Sequence, residues 1–196
     1  LVFWNRQRWD SAIFYYQKSE IIFRDLGFSK GLANVLNNMG LINDDMNNHV
    51  EARNLHKEAI VIYRNLRDTF GLAAATMNLS LAYFGENKSD SAIALSNRAI
   101  PLLKKSNDLN GLSKVYNNLG ILLDRQGSQD SALQYYRISL SLKYYLNDWL
   151  GVSSVSNNLA SAFRLSSEFD SCMHYVNLGL EVAEKHRLPR NIWKLN

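Results

Sequence analysis

Four asparagines stand forty residues apart, Asn38, Asn78, Asn118 and Asn158, each inside a segment that otherwise reads as an apolar helix. Asn is a middling helix former, so helix propensity does not account for the column. A primary amide offers two donors and one acceptor. That set matches the backbone of an extended peptide, which presents carbonyls and amides in alternation. An amide column in a helical repeat has two uses: it holds a ligand's backbone, or it bonds between neighbouring helices, as buried amides usually do. Both uses stay open at this level.

The other residues with chemical potential read as packing. His49 and His56 are seven apart, too far for the i, i+4 pair of a helical zinc site. His56 shares a column with Tyr16 and Tyr136 and is expected to be half-buried. His174 and His186 lack acidic or cysteine partners at ligand spacing. No metal and no cofactor is expected. Cys172 is the only cysteine and falls in a column of small residues, so it reads as a packed side chain and not a nucleophile. No disulfide can form within the chain, which favours a reducing compartment such as the cytoplasm without demanding one. The pairs Tyr15-Tyr16, Tyr135-Tyr136 and Tyr144-Tyr145 are expected to pack repeats together and not to stack bases. Asn78-Leu-Ser80 and Asn87-Lys-Ser89 match the glycosylation pattern by chance. Phosphate-binding loops, nucleophile elbows and supported Ser/His/Asp groupings are all missing, so the chain is read as a non-enzyme.

The elements that position these residues follow from composition and repetition. Apolar residues make up 46% of the 196, and there are two prolines, which favours long helices with a continuous core. The net charge of +4 is spread along the chain with no basic stripe, so no nucleic-acid partner is expected through this segment. A run of about 18 apolar residues, as a membrane span requires, is missing. The chain opens at Leu1 without methionine, and both ends are expected to fall inside a repeat.

Self-similarity has a fixed period of forty residues. Gly31-Leu-Ala-Asn-Val-Leu-Asn-Asn-Met-Gly40 returns at Gly71, Gly111 and Gly151, and the block Asp10-Ser-Ala-Ile returns at Val50, Asp90, Asp130 and Asp170. Each unit reads as two helices, A and B. In A, Val35, Leu36, Met39 and their equivalents recur at spacings of three and four, which makes one apolar face. The columns Ala52, Ala92, Ala132, Cys172 and Ala59, Ala99, Ser139, Gly179 mark close helix approach in B. The pattern predicts helices near 10–26, 30–46, 50–67, 70–86, 90–106, 110–126, 130–146, 150–166 and 170–186. Residues 1–8 would be the tail of an earlier A helix and 190–196 the start of another. A partial repeat then covers 1–29, full repeats cover 30–69, 70–109, 110–149 and 150–189, and the whole chain is one array. Asp10, Asp90, Asp130 and Asp170 are expected to cap B helices, with Asn47 or Asn48 replacing them before Val50. Pro101 lies inside a B helix and is expected to bend it.

The series Leu36, Met39, Gly40, then Ala52, His56, Ala59, resembles the landmarks of tetratricopeptide repeats, over essentially the whole chain. It departs in length, since the common repeat has 34 residues, and Asp-Thr-Phe-Gly71, Asp-Leu-Asn-Gly111 and Asp-Trp-Leu-Gly151 replace the closing proline. The long variant is similar to arrays in kinesin light chains and in bacterial regulators, where the array often precedes a DNA-binding or kinase module. The resemblance implies an all-α, right-handed superhelical solenoid of antiparallel helix pairs, whose concave wall of A helices binds peptides or proteins. Asn on helix A serves this purpose in the resembling families.

Projecting helix A at 100° per residue places one stripe beside the core face. Its candidate groove residues are Asn34, Asn37 and Asn38, then Met77, Asn78, Leu81 and Phe84. They continue as Lys114, Asn117, Asn118 and Arg125, and end at Asn157, Asn158 and Arg164. An extended peptide would bind with apolar anchors near Phe84 and acidic groups toward Lys114 and Arg125. The expected function is a protein- or peptide-binding module, the sensory or regulatory part of a larger protein. The alternatives are a self-associating spacer array and a small-ligand sensor.

Overall fold

The computed structural model describes the backbone of residues 2–188 and the side chains of residues 8–188. Within it the chain forms α1 (Val2–Asp25), α2 (Ser29–Asp45), α3 (His49–Asn65), α4 (Thr69–Gly85), α5 (Ser89–Lys105), α6 (Leu109–Arg125), α7 (Gln129–Tyr145), α8 (Trp149–Leu165) and α9 (Phe169–Lys185). Helices α2 to α9 match the pattern-derived positions to within about two residues, as helix boundaries allow. The helix expected over 190–196 lies outside the described residues.

The turns obey a finer period than the repeat. A residue in the left-handed region, with φ between 51° and 78°, recurs every twenty residues: Gly27, Asn47, Arg67, Asn87, Asn107, Gly127, Asn147, Ser167 and Arg187. Each closes a seventeen-residue helix from α2 onward. The amide after it reaches back five residues, as Asn48 N to Asn43 O at 2.7 Å and Asp68 N to Tyr63 O at 2.9 Å. This is the Schellman closure. Its last residue is also the N-cap of the next helix, so A and B helices alternate through turns of three residues.

That geometry corrects the expected caps. Asp90, Asp130 and Asp170 sit in the first turns of α5, α7 and α9, where they favour the positive end of the helix dipole. The cap positions belong to Asn48, Lys88, Ser128 and Glu168, none with a side-chain cap bond. Asn47 takes the left-handed turn position instead of a cap. Side-chain caps occur on the A helices: Asp68, Asp108 and Asp148 accept from the amides of Gly71, Gly111 and Gly151 at 2.8–2.9 Å. Asp10 caps nothing, because α1 runs unbroken from Val2 to Asp25. Gln7, twenty residues before Gly27, is a good helix former without glycine's tolerance of positive φ, so among the described residues no turn separates 2–8 from the rest of α1. Pro101 lies inside α5 without ending it.

Two compact units arise, Leu1–Asn107 and Asp108–Asn196. In the first, α1 to α5 pack in chain order and α2 also meets α4; in the second, α6 to α9 do the same, with α6 meeting α8. The first core joins Val35, Leu36 and Met39 to Leu55, Ala59, Ile60 and Tyr63, and on to Ala75 and Leu79. The second joins Leu133, Tyr136 and Leu140 to Val152, Val155, Leu159 and Phe163. The small columns are buried at Ala52, Ala59, Ala92, Ala99, Ala132, Ser139 and Gly179, while Cys172 is half-buried. Tyr136 packs in the core, but Tyr15 and Tyr145 face solvent, 66% and 74% exposed, so the tyrosine pairs only partly join repeats.

Candidate functional site

The first unit places A helices α2 and α4 side by side, and a cleft of ≈ 510 Å³ opens between them. Asn34, Asn37 and Asn38 line one wall with Lys30; Phe70, Gly71 and Ala74 line the other; Tyr63 and Asp68 close the end. Their proximity follows from local rules. Asp68 caps α4, which fixes Phe70 and Gly71 at its start. Gly71 admits Tyr63 to this position, since a Cβ there would come within 2.3 Å of the ring.

The three predicted asparagines of this wall differ in role. Asn34 is exposed, and its Oδ1 accepts from the Tyr63 hydroxyl at 2.6 Å. The Asn37 Oδ1 accepts from Asn78 Nδ2 at 3.1 Å and lies 3.0 Å from His56 Nδ1. Asn38 is half-buried and its side chain makes no hydrogen bond to the described residues. The second unit repeats the bridge, Asn158 Nδ2 donating to Asn117 Oδ1 at 2.9 Å. The identical column therefore contains two members, Asn78 and Asn158, whose amides bond to the preceding A helix, the second of the uses weighed for it. Asn38 and Asn118 carry no such bond.

Of the remaining stripe, Met77, Leu81 and Phe84 lie half-buried along α4. In the second unit, Lys114 and Arg125 on α6 and Arg164 on α8 are exposed, while Asn117, Asn118, Asn157 and Asn158 are half-buried. His56 is fully buried, contrary to the half-buried expectation, because Gly40 leaves room for its ring: a Cβ there would lie 2.5 Å from Cε1. Its Nε2 lies 3.4 Å from Asp44 Oδ2, and His49 Nδ1 lies 3.1 Å from Asp44 Oδ1. A chain of polar contacts thus runs from His49 through Asp44, His56 and Asn37 to Asn78. Among the described residues, no group of three or more His, Cys, Asp or Glu side chains is placed to hold a metal. No described helix is long and apolar enough to cross a membrane.

Electrostatics sharpen the end of the cleft. The Gly71 amide, opposed by burial and helped by Lys30 at 3.0 Å, holds the Asp68 carboxyl below the usual carboxylate range. Burial, with the Asp68 charge, pushes the Tyr63 phenol up to about 12. In the second unit Lys143 takes the place of Tyr63. Burial acts to raise Asp148, but the bond from Lys143 Nζ at 2.6 Å and the Gly151 amide outweigh it, and that carboxyl also lies low. Chemically, the first cleft offers a cation, amide donors and acceptors, and the 59% exposed ring of Phe70. It can hold backbone and a flat or apolar side chain. Lys30, Tyr63, Asp68 and Phe70 were not among the sequence candidates. The recurring Asp-x-x-Gly of residues 68–71, 108–111 and 148–151 was the available signal for Asp68, since that spacing is what a capped helix start requires. Tyr63 belongs to a B helix and is invisible to a projection of A.

Comparison with known proteins agrees with the repeat fold. Tetratricopeptide repeat models match residues 71–144 and residues 32–67. No curated protein matches the chain. Among solved structures it is similar to BtubC (BKLC) from P. vanneervenii, with a TM-score of 0.80 and 18% identity over 95% of this chain and 77% of that one. It is similar to the Rap conjugation gene regulator of the plasmid pLS20 in complex with the Phr* peptide, at TM-score 0.77 and 20% identity. That match covers 94% of this chain and 51% of the regulator. It is also similar to a putative kinesin light chain of Podosopora anserina with nearly identical TPR-like repeats, at 0.71 and 12%, covering 94% and 91%.

Proposed function

We propose that this chain, which belongs to the tetratricopeptide repeat family, binds an extended peptide segment of a partner protein in the cleft between α2 and α4. The observation that carries the reading is the convergence of Asn34, Asn37 and Asn38 with Lys30 and Phe70 on one cleft. Asn37 is held by its neighbours, which leaves Asn38 and the outer side of Asn34 to meet a peptide backbone. Lys30 would favour an acidic group and Phe70 an apolar side chain. In a larger protein such a module would serve a sensory or regulatory part; the similar Rap conjugation gene regulator was solved in complex with the Phr* peptide. The stripe through Met77, Leu81 and Phe84 remains a candidate for the partner's flanking residues, and within the second unit, taken by itself, Lys114, Arg125 and Arg164 remain candidates for contact with acidic groups.

The test is a tiled peptide array probed with the whole chain, followed by titration of the best peptide against Asn34→Ala/Asn38→Ala and Lys30→Glu variants. The double variant should retain its helical circular dichroism and lose about 1–3 kcal/mol of binding, the cost of unpaired peptide groups. Failure of every peptide, or equal binding by the folded double variant, would refute the reading. Self-association is a second reading. It is favoured by Phe14, Ile21 and Ile22, each at least 50% exposed on α1. Light scattering that shows a concentration-independent monomer would remove it.

A further inference from the structure

A second cleft of the first unit, of ≈ 600 Å³, shares no residue with the first. Its walls are B helices α3 and α5, and its floor is α4. Leu72, Thr76 and Leu79 form the floor, spaced i, i+4, i+7 along α4. The Thr76 hydroxyl already donates to the Leu72 carbonyl at 2.7 Å, so the floor side chains present no spare hydrogen-bond donor. Ile60 and Val61 continue the apolar surface up one wall, and Leu95 and Pro101 up the other. Pro101 places a ring where another residue would carry an amide.

The rim is cationic. Lys57, Arg64 and Arg98 line the cleft, and no carboxylate does. Elsewhere in this unit Arg24, Lys30, Arg53 and Lys88 each meet a carboxylate within 4 Å. Lys57, Arg64 and Arg98 form no ion pair with the described residues; Lys57 Nζ instead lies 5.6 Å from the Tyr83 ring centre. The repeat carries much of the apolar lining and one cation, Lys57 being matched by Arg137 two repeats later, but not the other two cations. Two repeats later the positions of Val61, Arg64, Arg98 and Pro101 hold Ser141, Tyr144, Leu178 and Glu181. There the Tyr144 phenol is raised by burial and by the charge of Glu181, so the equivalent place carries an acid of its own.

We propose that the α3–α5 groove docks a short, acidic amphipathic helix of a partner protein. The groove follows α3 from Lys57 to Arg64, about 10.5 Å, which is two helical turns. Without spare amides or carbonyl acceptors along the floor, an extended peptide would bury its backbone groups unpaired. A helix satisfies its own backbone and sets apolar side chains at i, i+4 and i+7 on a floor of matching pitch. Carboxylates on its flanks meet the three cations, which set its register and on-rate.

The probe is a fluorescein-labelled, helix-forming synthetic peptide with Leu at i, i+4 and i+7 and Glu on both flanks. Its control carries Lys in place of every Glu. Fluorescence anisotropy with the whole chain should show the Glu peptide binding about tenfold more tightly than the Lys peptide. Arg64→Glu/Arg98→Glu should weaken the Glu peptide by about tenfold, as expected for two exposed charges acting together, and strengthen the Lys peptide. Val61→Glu, at a 53% exposed wall position that folding does not need, should weaken the Glu peptide as well. Asn34→Ala/Asn38→Ala should leave this binding unchanged, which separates it from the α2–α4 cleft. No binding of the Glu peptide at millimolar concentration, equal binding of the two peptides, or indifference to both groove variants overturns the proposal.

Discussion

Replacing Asn37 with Ala removes one oxygen that two buried groups share. Asn78, 6% exposed, loses the acceptor for its Nδ2, and His56, fully buried, loses the oxygen that faces its Nδ1. A buried polar group left without a partner costs about 1–3 kcal/mol. Asn37 also lines the cleft, so water can reach part of the vacated space and the cost falls toward the lower end for each group. The expected loss is about 2–3 kcal/mol. Asn38 is the internal control. It is the next residue on the same helix, it lines the same cleft, and its side chain makes no hydrogen bond to the described residues, so Asn38→Ala should stay within about 0.5 kcal/mol. Urea unfolding followed by helical circular dichroism reads the difference. With a slope of about 2 kcal/mol per molar, Asn37→Ala should lower the midpoint by about 1–1.5 M. Asn38→Ala should hardly move it. Equal shifts for the two variants would refute the reasoning, because the bridge from Asn37 to Asn78 and His56 would then contribute nothing that a surface amide does not.

Other consequences are as direct. Ser167 holds φ at 61° in a turn where Gly27 and Gly127 occupy the equivalent place, so Ser167→Gly should raise stability by about 0.5–1 kcal/mol, seen as a higher thermal midpoint. Leu119, 1% exposed, should cost about 2–5 kcal/mol on replacement by Ala. Because Tyr63 is raised to about 12, its stabilisation is fully present below the unfolded phenol value of about 10 and is lost as pH rises through about 12. Tyr63→Phe should flatten that alkaline limb in a pH series of thermal melts. Asp68, with its carboxyl held low, contributes in the opposite direction: its stabilisation is present above about pH 4 and declines as pH falls further. Asp68→Asn should weaken the acid sensitivity of the same melts.

Local chemistry was legible in the residues alone. Helix period, small columns and apolar faces are written in spacings of three, four and seven, so the helix pairs and much of the core could be placed without coordinates. The buried set Val35, Leu36, Met39 and Leu119 came from that pattern, and so did the stripe that holds Asn34, Asn37 and Asn38. What depends on partners far along the chain was decided by the tertiary structure. Asn37 and Asn38 are neighbours that a helical projection treats almost alike, yet the partner of Asn37 is forty-one residues away on α4, so only packing tells the bound amide from the open one. The caps moved for a related reason: a helix begins where the preceding Schellman turn releases the chain, which selects Asp68, Asp108 and Asp148 and leaves Asp90, Asp130 and Asp170 one step inside their helices. Tyr63 reached the cleft, and Lys57, Arg64 and Arg98 a shared rim, because separate helices were brought together. Each of those residues has an unremarkable place on its own helix, and only contact between helices makes them a surface.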